Sequence, residues 1–334
     1  MAPRTTIEVE AAGRTVGVSS PDKLFFSERG ETKLDLIHFY LAVEEPLMRA
    51  LGGRPVLMER YPEGAEGPSF FQKRAPKNAP DWVRTTKVQT PNGTPSQALV
   101  LADIAHLVWA VNLGCLGLHV WPFMADDPDH ADQLRIDLDP SPGVSFDMVR
   151  EAAGETRDLL AEIGLEGYPK TTGRNGIHVY LQLLPDHDAI QVRQAAVAFA
   201  REFERRRPDL VTAAWWKEER GRRVFVDFNQ NAPHKTVLGA WSVRPRRGAQ
   251  VSTPFRWDEL PDVVPDELTI ATVPARVAAA GDAWDPMPAQ DLRPLLEWHE
   301  RDMAAGLMDA PWPPVYPKMP NEPARVAPSR ARKT

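Results

Sequence analysis

Two aspartates stand two positions apart in an otherwise apolar segment, Arg135-Ile-Asp-Leu-Asp139, which Pro140 ends. The segment predicts a short strand, and the period of two places Asp137 and Asp139 on one face, about 7 Å apart at the backbone. Two like charges side by side on a strand are electrostatically costly, and a divalent metal would offset that cost. Oxygen-rich sites of this kind suit Mg²⁺ or Mn²⁺.

A third acid, Asp227, ends a second apolar segment, Arg223-Val-Phe-Val-Asp-Phe228, which also predicts a strand. Three carboxylates from two strands could hold a pair of metal ions for phosphoryl transfer. The alternative is that Asp139 merely ends its strand and that Asp227 is a surface charge. The carboxylates alone do not decide between these interpretations.

A glycine-bearing turn leads into another predicted strand in Lys170-Thr-Thr-Gly-Arg-Asn-Gly-Ile-His-Val-Tyr180. Backbone N–H groups, hydroxyls and Arg174 in such a turn form a natural cradle for phosphate oxygens. It is not the usual phosphate loop, because the G-x-x-x-x-G-K-[ST] pattern is absent and no helix is predicted to follow. His178 is either a structural histidine or a residue that binds a phosphate oxygen.

A polar segment, Asn229–Thr236, follows Asp227 and precedes Trp241-Ser-Val-Arg244. In it, Lys235 and Arg244 could neutralise phosphates, and Gln230 could orient a polar ligand. A solvated polar loop is the alternative.

Strands and helices interleave along the chain, which predicts an α+β or mixed α/β domain with antiparallel hairpins. A hairpin is predicted over 5–18, strands over 55–60, 82–89, 135–139, 177–184 and 223–228, and helices over 32–43, 103–112, 146–163 and 190–206. The eighteen residues from 104 to 121 carry no formal charge, and we interpret them as a buried helix and strand, with no membrane partner. The proline-rich segment 311–320 predicts an extended strap over the surface.

The net charge of −6 suggests at first that nucleic acid is excluded as a partner. However, residues 258–310 alone carry a net charge of −9, which leaves +3 for the rest, and residues 217–247 carry +5. The total charge therefore excludes little. Cys115 is the only cysteine, which rules out an intramolecular disulfide and fits a reducing, cytoplasmic location.

Together these motifs resemble the polymerase domain of the bacterial nonhomologous end-joining ligase D proteins, a branch of the archaeo-eukaryotic primase superfamily. The three motifs appear in order as Asp137-Leu-Asp139, Thr172-Gly-Arg-Asn-Gly-Ile-His178 and Val226-Asp227. The resemblance runs from about Val18 to about Pro328. Supporting stretches are Pro21-Asp-Lys-Leu-Phe-Phe, Phe70-Phe-Gln-Lys-Arg, Asn112-Leu-Gly-Cys-Leu-Gly-Leu-His119, Gln230-Asn231 and Trp312-Pro-Pro…Pro-Lys-Met-Pro320.

The resemblance implies a primase-like catalytic core of two mainly antiparallel sheets flanked by helices. It implies one domain over residues 1–320, with a DNA-contacting lobe to about residue 100 and the catalytic core and C-terminal helices over about 101–310. Residues 321–334 would be a basic, disordered tail.

The resemblance also implies roles for particular residues. Asp137, Asp139 and Asp227 would be the catalytic acids and would bind two divalent ions, Mn²⁺ in preference to Mg²⁺. Lys23 and Lys33 would hold a 5′-phosphate at a gap or break. Phe70 or Phe71 would stack on a template base beside Lys73. The incoming nucleotide would be bound by His119, Thr172, Gly173, Arg174, Asn175, His178, Gln230, Lys235, Thr236 and Arg244.

The implied activity is template-dependent addition of nucleotides, preferentially ribonucleotides, to a primer 3′-hydroxyl in DNA repair, by gap filling or nonhomologous end joining. A Lys-x-Asp-Gly ligase signature is not found, so a separate DNA ligase and an end-binding protein would be its partners. Two departures from the family stand out: Ser20 replaces the frequent Asn, and Asn175 replaces the frequent Lys. The alternatives are a metal-dependent phosphoesterase and a non-catalytic module that binds DNA ends.

Overall fold

The structure, a computed structural model, describes residues 5–90 and 93–325, so most of the predicted tail lies outside the described residues. Strands and helices alternate along the chain as predicted. Their bounds are β1 (Thr6–Ala11), β2 (Arg14–Ser19), β3 (Leu24–Phe26), β4 (Glu31–Thr32), α1 (Lys33–Ala42), α2 (Glu44–Leu51), β5 (Pro55–Arg60), β6 (Phe70–Gln72), β7 (Thr85–Val88), β8 (Ser96–Val100), α3 (Ile104–Asn112), β9 (Cys115–Val120), β10 (Gln133–Pro140), α4 (Phe146–Glu162), β11 (Tyr168–Thr171), β12 (Ile177–Gln182), α5 (Ala189–Arg206), β13 (Val211–Thr212), α6 (Lys217–Arg220), β14 (Val224–Val226), β15 (Val237–Leu238), α7 (Val273–Ala280) and α8 (Arg293–Ala304).

The predicted helices are confirmed as α1, α3, α4 and α5, and their ends differ from prediction by at most one residue. The helix starts are predictable because side chains near them in the sequence cap the first turn of each helix. Thr32 accepts a hydrogen bond from the backbone N–H of Asp35, and Ser145 accepts one from Met148. The uncharged stretch from 104 to 121 is the helix α3 followed by the strand β9, as predicted. In the part of the chain that the structure describes, no helix has the length and apolar character needed to cross a bilayer.

The first sheet has six strands in the order β15-β9-β5-β8-β7, with β6 paired to β5. Every pairing in it is antiparallel. The hairpin β1-β2 and helices α1 and α3 pack on it around one apolar core. This sheet extends past residue 100, the predicted end of the N-terminal lobe. It runs to Val120, because β9 pairs along β5, and it takes β15 from much later in the chain.

The second sheet has five strands in the order β11-β12-β10-β14-β13, and its pair β13–β14 is the parallel one. The predicted fold class, a mixed α+β core of two mainly antiparallel sheets, is confirmed. Leu134, Ile136 and Leu138 of β10 pack into the core that includes α4 and α5. Alternation therefore turns Arg135, Asp137 and Asp139 to the opposite face. That face looks toward the first sheet, because Arg135 Nη2 donates to the carbonyl of Val120 on β9.

The proline-rich segment 311–320 contains no helix or strand and packs as the predicted strap. The indole of Trp312 is buried, and the guanidinium of Arg193 lies 3.9 Å from its ring centroid. Tyr316 donates its hydroxyl hydrogen to the carbonyl of Pro233. The strap thereby covers the polar segment that follows β14.

Glu202 on α5 joins α5 to α8. Its carboxylate accepts hydrogen bonds from Arg205 at 2.5 Å, from Arg206 at 2.8 Å and from Arg301 of α8 at 2.8 Å. Burial by itself would raise the pKa of Glu202, but these three guanidinium groups outweigh it and lower the pKa to about 2. Glu202 thus links the two helices through Arg301, as Asp302 of α8 does through Arg205 at 3.1 Å.

We predict that Glu202→Gln lowers the free energy of unfolding at pH 7 by about 2 kcal/mol, because hydrogen bonds to a charged group are lost and the arginines are left unpaired. The pKa is lower in the folded state than its usual 4.5. This contribution is therefore present above about pH 4.5 and is lost as the pH falls toward 2. Urea denaturation of both proteins across this range measures it.

The matched control is Glu300→Gln, which changes an exposed acid on α8. It should alter stability by less than about 0.5 kcal/mol. An equal loss in both variants at pH 7, or a Glu202→Gln loss that is undiminished at pH 2, would contradict the prediction.

Candidate active site

The pairing of β10 with its neighbours brings the three predicted acids together. Asp137 and Asp139 lie on β10, the central strand of the second sheet. Leu138 is paired with Val226 on β14, and the backbone N–H of Asp227 donates to the carbonyl of Asp137 at 2.9 Å. Asp227 was predicted within a strand, but β14 ends at Val226 and a 3-10 turn begins at Phe228. Asp227 caps that turn, which directs its carboxylate toward β10.

Burial and mutual repulsion act on all three carboxyl groups. Burial raises the pKa of Asp137, and the charges of Lys170 and Arg244 oppose that rise. Burial and repulsion by Asp137 raise the pKa of both Asp139 and Asp227. The site therefore holds negative charge that is stabilised only in part by the protein itself.

The donor set fits divalent cations that prefer oxygen. Asp227 accepts from the Asn229 N–H at 3.0 Å and from Gln230 Nε2 at 2.8 Å, and Asp137 Oδ1 lies 3.1 Å from His178 Nε2. No group of three or more His, Cys, Asp or Glu side chains in residues 5–90 and 93–325 already encloses a common point as metal ligands. Carboxylates whose repulsion a cation would remove are nevertheless the chemistry that Mg²⁺ and Mn²⁺ require.

The glycine-bearing turn between β11 and β12 is closed by its own hydrogen bonds. The Thr172 N–H donates to the Gly176 carbonyl at 3.1 Å, and the Gly176 N–H donates to Thr172 Oγ1 at 3.2 Å. Gly173 has a φ of +69°, which only glycine adopts without strain. Arg244 donates through Nε and Nη2 to the Thr172 carbonyl at 3.1 and 2.8 Å. The turn and the distant Arg244 therefore form one unit.

A cavity of about 630 Å³ lies between this turn and the carboxylates. Basic side chains form much of its wall, and among the described residues none of them has a carboxylate within 4 Å. They are Arg174, Lys217, Arg220, Arg244 and Arg246. A cavity lined by Asp137, Asp139 and these cations suits a polyanion that is bound together with metal ions.

Lys217 and Arg220 were not named as site residues from the sequence, although the basic segment 217–247 gave a signal. The Arg220 guanidinium lies 3.5 Å from the ring centroid of Phe225 and donates to the carbonyls of Ala214 and Trp215. Glu59 and Tyr61 also line the cavity and were not predicted. They come from the first sheet, and no local pattern marks them.

The predicted nucleotide-binding residues separate into three groups. Thr172, Arg174, Asn175, His178 and Arg244 line the cavity, and Gly173 belongs to the same turn. Gln230 is bonded to Asp227, and the charge of Lys235 partly opposes the rise in the pKa of Asp227 that burial causes. His119 is bonded to Glu59 beside the cavity. Among the residues that line the cavity, Lys235 and Thr236 do not appear.

The two predicted 5′-phosphate lysines lie in different environments. Lys23 forms an ion pair with Glu63 at 2.8 Å, and its side chain is 32% exposed. Lys33 is only 5% exposed, and its ammonium donates to the carbonyls of Ser19 at 2.5 Å and Asn112 at 3.2 Å. Through these contacts Lys33 holds the hairpin β1-β2 against α3, and its role at a 5′-phosphate stays a prediction.

Phe70 and Phe71 on β6 are the predicted stacking residues, and both are exposed, at 46% and 56%. The guanidinium of Arg60 lies 5.2 Å from the Phe70 ring centroid, and Phe71 meets the His119 ring edge to face at 5.4 Å. Lys73, the next predicted contact, is exposed one residue beyond β6. Large exposed aromatics beside cations are typical of surfaces that bind single-stranded nucleic acid.

A sheet that carries clustered carboxylates opposite a wall of unpaired cations defines the class of site that performs phosphoryl transfer. The LigD primase-polymerase domain family matches residues 32–284. The chain therefore belongs to the LigD primase-polymerase domain family, whose class is that of the nucleotidyltransferases, as the sequence motifs predicted.

Individual relatives agree with this placement. The multifunctional non-homologous end joining DNA repair protein LigD of Mycobacterium tuberculosis is 33% identical over 287 residues, which is 84% of this chain and 38% of that protein. The bifunctional LigD of Bacillus subtilis is 32% identical over 265 residues, 79% of this chain and 42% of that protein. The chain thus spans about two fifths of the length of these curated relatives.

Among solved structures, the polymerase domain from Mycobacterium tuberculosis ligase D in complex with DNA matches with a TM-score of 0.77 and 31% identity. The match covers 81% of this chain and 97% of that one. The shared fold extends over nearly all of that domain.

We predict that Gly173→Ala destabilises the protein by about 2 kcal/mol, more than a positive φ alone would require. A Cβ at this position would lie 3.1 Å from the Cβ of Arg244, so the added methyl group is both strained and crowded. Chemical denaturation measures the loss.

The matched control is Gly164→Ala at the end of α4. Gly164 has a similar φ of +74°, and its added Cβ would meet nothing within 4 Å. Its free energy of unfolding should fall by only about 1 kcal/mol, which is the penalty for a side chain on left-handed backbone. Equal losses in the two variants would show that the contact between the turn and Arg244 is not tight.

Proposed function

We propose that the protein is a template-dependent nucleotidyltransferase that adds nucleotides, preferentially ribonucleotides, to a primer 3′-hydroxyl at DNA gaps or breaks. The observation that carries the proposal is the cavity lined by Asp137 and Asp139, with Asp227 bonded beside them, whose basic side chains have no carboxylate partner among the described residues. The names of the relatives support a task in non-homologous end joining. The preference for ribonucleotides rests on the motif resemblance.

Asp137, Asp139 and Asp227 would hold two divalent ions, Mn²⁺ or Mg²⁺. When bound, such ions activate the attacking hydroxyl and neutralise charge on the reacting phosphate. The raised pKa values of the three carboxyl groups support this assignment, since a bound cation stabilises the charged form that burial, and for Asp139 and Asp227 also repulsion by Asp137, disfavours.

The protein itself would bind and orient the triphosphate. The turn of Thr172 and Arg174 offers N–H groups, a hydroxyl and a guanidinium on one side of the cavity. Arg244 uses two of its nitrogens to fix the carbonyl of Thr172, and its charge remains directed at the site. Arg220 and Lys217, which also line the cavity, would stabilise charge that develops on the leaving pyrophosphate.

The DNA partner is supported by a different surface. Phe70 and Phe71 project from β6, and Lys23 lies near the surface. The solved relative of similar fold was determined in complex with DNA. We therefore propose that Phe70 and Phe71 stack on template bases and that Lys23 contacts a 5′-phosphate. A DNA ligase activity and an end-binding protein would complete the repair.

We predict that Asp137→Asn abolishes primer extension with Mn²⁺ and ribonucleotides, lowering the rate by at least about 10³-fold, because a neutral amide cannot replace a metal-binding carboxylate. The measurement is extension of a labelled primer on gapped DNA, run with ribonucleotides and with deoxyribonucleotides. The control is Asp258→Asn, an exposed acid outside the cavity, which should extend like the wild type.

If the wild type does not extend the primer, the proposed activity is wrong. Cleavage of the primer by the wild type would favour a metal-dependent phosphoesterase. Full extension by Asp137→Asn would remove Asp137 from the metal site. Equal rates with both nucleotide types would overturn only the ribonucleotide preference.

We predict that Lys23→Ala weakens binding to gapped DNA about tenfold when the gap carries a 5′-phosphate, because one charge-assisted contact is lost. Binding to the unphosphorylated gap should not change. Fluorescence anisotropy at fixed salt measures both dissociation constants. Lys318→Ala, an exposed lysine on the strap, is the control.

An equal loss on both DNA substrates would indicate general backbone contact by Lys23. Lys33→Ala should behave differently from Lys23→Ala, since its ammonium is buried against Ser19 and Asn112. It should lower stability whether or not DNA is present.

A further inference from the structure

Glu59 of the first sheet lines the same cavity as Asp137 and Asp139. It is on β5, next to β9, and its Oε2 is 3.0 Å from Nε2 of His119. Tyr61 donates its hydroxyl hydrogen to the other carboxylate oxygen of Glu59 at 3.0 Å. Both oxygens of Glu59 are thus engaged by side chains that border the cavity.

The Glu59 carboxylate occupies the space beside Gly117, which has no side chain. Glu59 is paired directly with Gly117 on β9. A Cβ on Gly117 would lie 2.6 Å from Oε2 of Glu59 and 3.4 Å from Nε2 of His119. A side chain at position 117 would therefore displace the Glu59 carboxylate from His119.

Glu59 also acts on Arg244. Burial would raise the pKa of Glu59, but the contacts with His119 and Tyr61 and the charge of Arg244 bring it below its ordinary value. The carboxylate is therefore ionised, and the hydrogen of His119 is assigned to Nε2, which donates it. The charge of Glu59 in turn favours the charged form of Arg244, as does that of Asp137.

We propose that Glu59 is a positioning residue for the incoming nucleotide, which holds His119 and Arg244 in the geometry that binds it. The inference rests on the proposed function, because it assigns His119 and Arg244 to the nucleotide. Arg244 fixes the carbonyl of Thr172, so the influence of Glu59 reaches the phosphate-binding turn. In this way a carboxylate of the first sheet couples that sheet to the site on the second.

The test compares Glu59→Ala and Glu59→Gln with the wild type. Calorimetry measures binding of a non-hydrolysable ribonucleoside triphosphate in Mn²⁺, and primer extension gives KM and kcat for the nucleotide. Glu59→Ala should raise the dissociation constant and KM about tenfold while kcat falls less than about threefold, because an ionic hydrogen bond that orders the ground state is lost. Glu59→Gln keeps an acceptor oxygen and should recover part of the affinity.

Gly117→Ala tests the same geometry without removing the carboxylate, and it should weaken nucleotide binding as Glu59→Ala does. Its control is Gly154→Ala in α4, where the added Cβ meets only Leu260 Cδ2 at an ordinary 3.9 Å. If Gly117→Ala does not fold, the nucleotide affinities of the two Glu59 variants decide whether Glu59 is a positioning residue.

Unchanged nucleotide affinity in Glu59→Ala, when the wild type binds the analogue, would overturn the role of Glu59 and leave the proposed function intact. A loss confined to DNA affinity would also overturn it. If the wild type binds no nucleotide, both the proposed function and this inference are overturned.

Discussion

The repulsion among Asp137, Asp139 and Asp227 is the constraint on which the rest of the structure depends. Three carboxyl groups are held close together because antiparallel pairing with β12 and β14 leaves β10 no freedom to move them apart. The unfavourable charge is tolerated because the apolar face of β10 is buried under α4 and α5. The stability of the core thus maintains an electrostatically strained site, a conflict expected where function overrides local preference.

The same face of the second sheet continues as a buried polar row between the two sheets. Arg135 is paired with Tyr180, and the next pair on this face is Gln133 with Gln182. Asp132 accepts two hydrogen bonds from Arg54, the residue before β5 of the first sheet, at 2.6 and 2.7 Å. Buried polar groups are costly unless they are paired, so such contacts favour one arrangement of the sheets over others. The cleft that holds the catalytic acids is therefore defined by this polar layer and by apolar packing together.

Features set by residues close together in the sequence could be predicted, and features set by contacts between distant residues could not. Asp137 and Asp139 were predicted to share a face because strand alternation is local, and the helix ends were predicted from caps such as Ser145. The surroundings of Lys33 could not be predicted, because Ser19 and Asn112, which bind its ammonium, are distant from one another in the sequence. Glu59 was missed for the same reason. Its partner His119 lies sixty residues away, and only the pairing of β5 with β9 brings them together.

The uneven charge of the chain has a structural explanation in the pairing of arginines. Acids of the segment 258–310 pair with arginines elsewhere, as Asp309 does with Arg193 and Asp302 with Arg205. These contacts join α5 to α8 and to the segment between α8 and the strap, on the side of the second sheet that the helices cover. Within the described residues, the cations of the cavity have no such partner. The acidic segment thus neutralises structural arginines and leaves the positive charge of the cleft available, so a chain of negative total charge can still attract a polyanion.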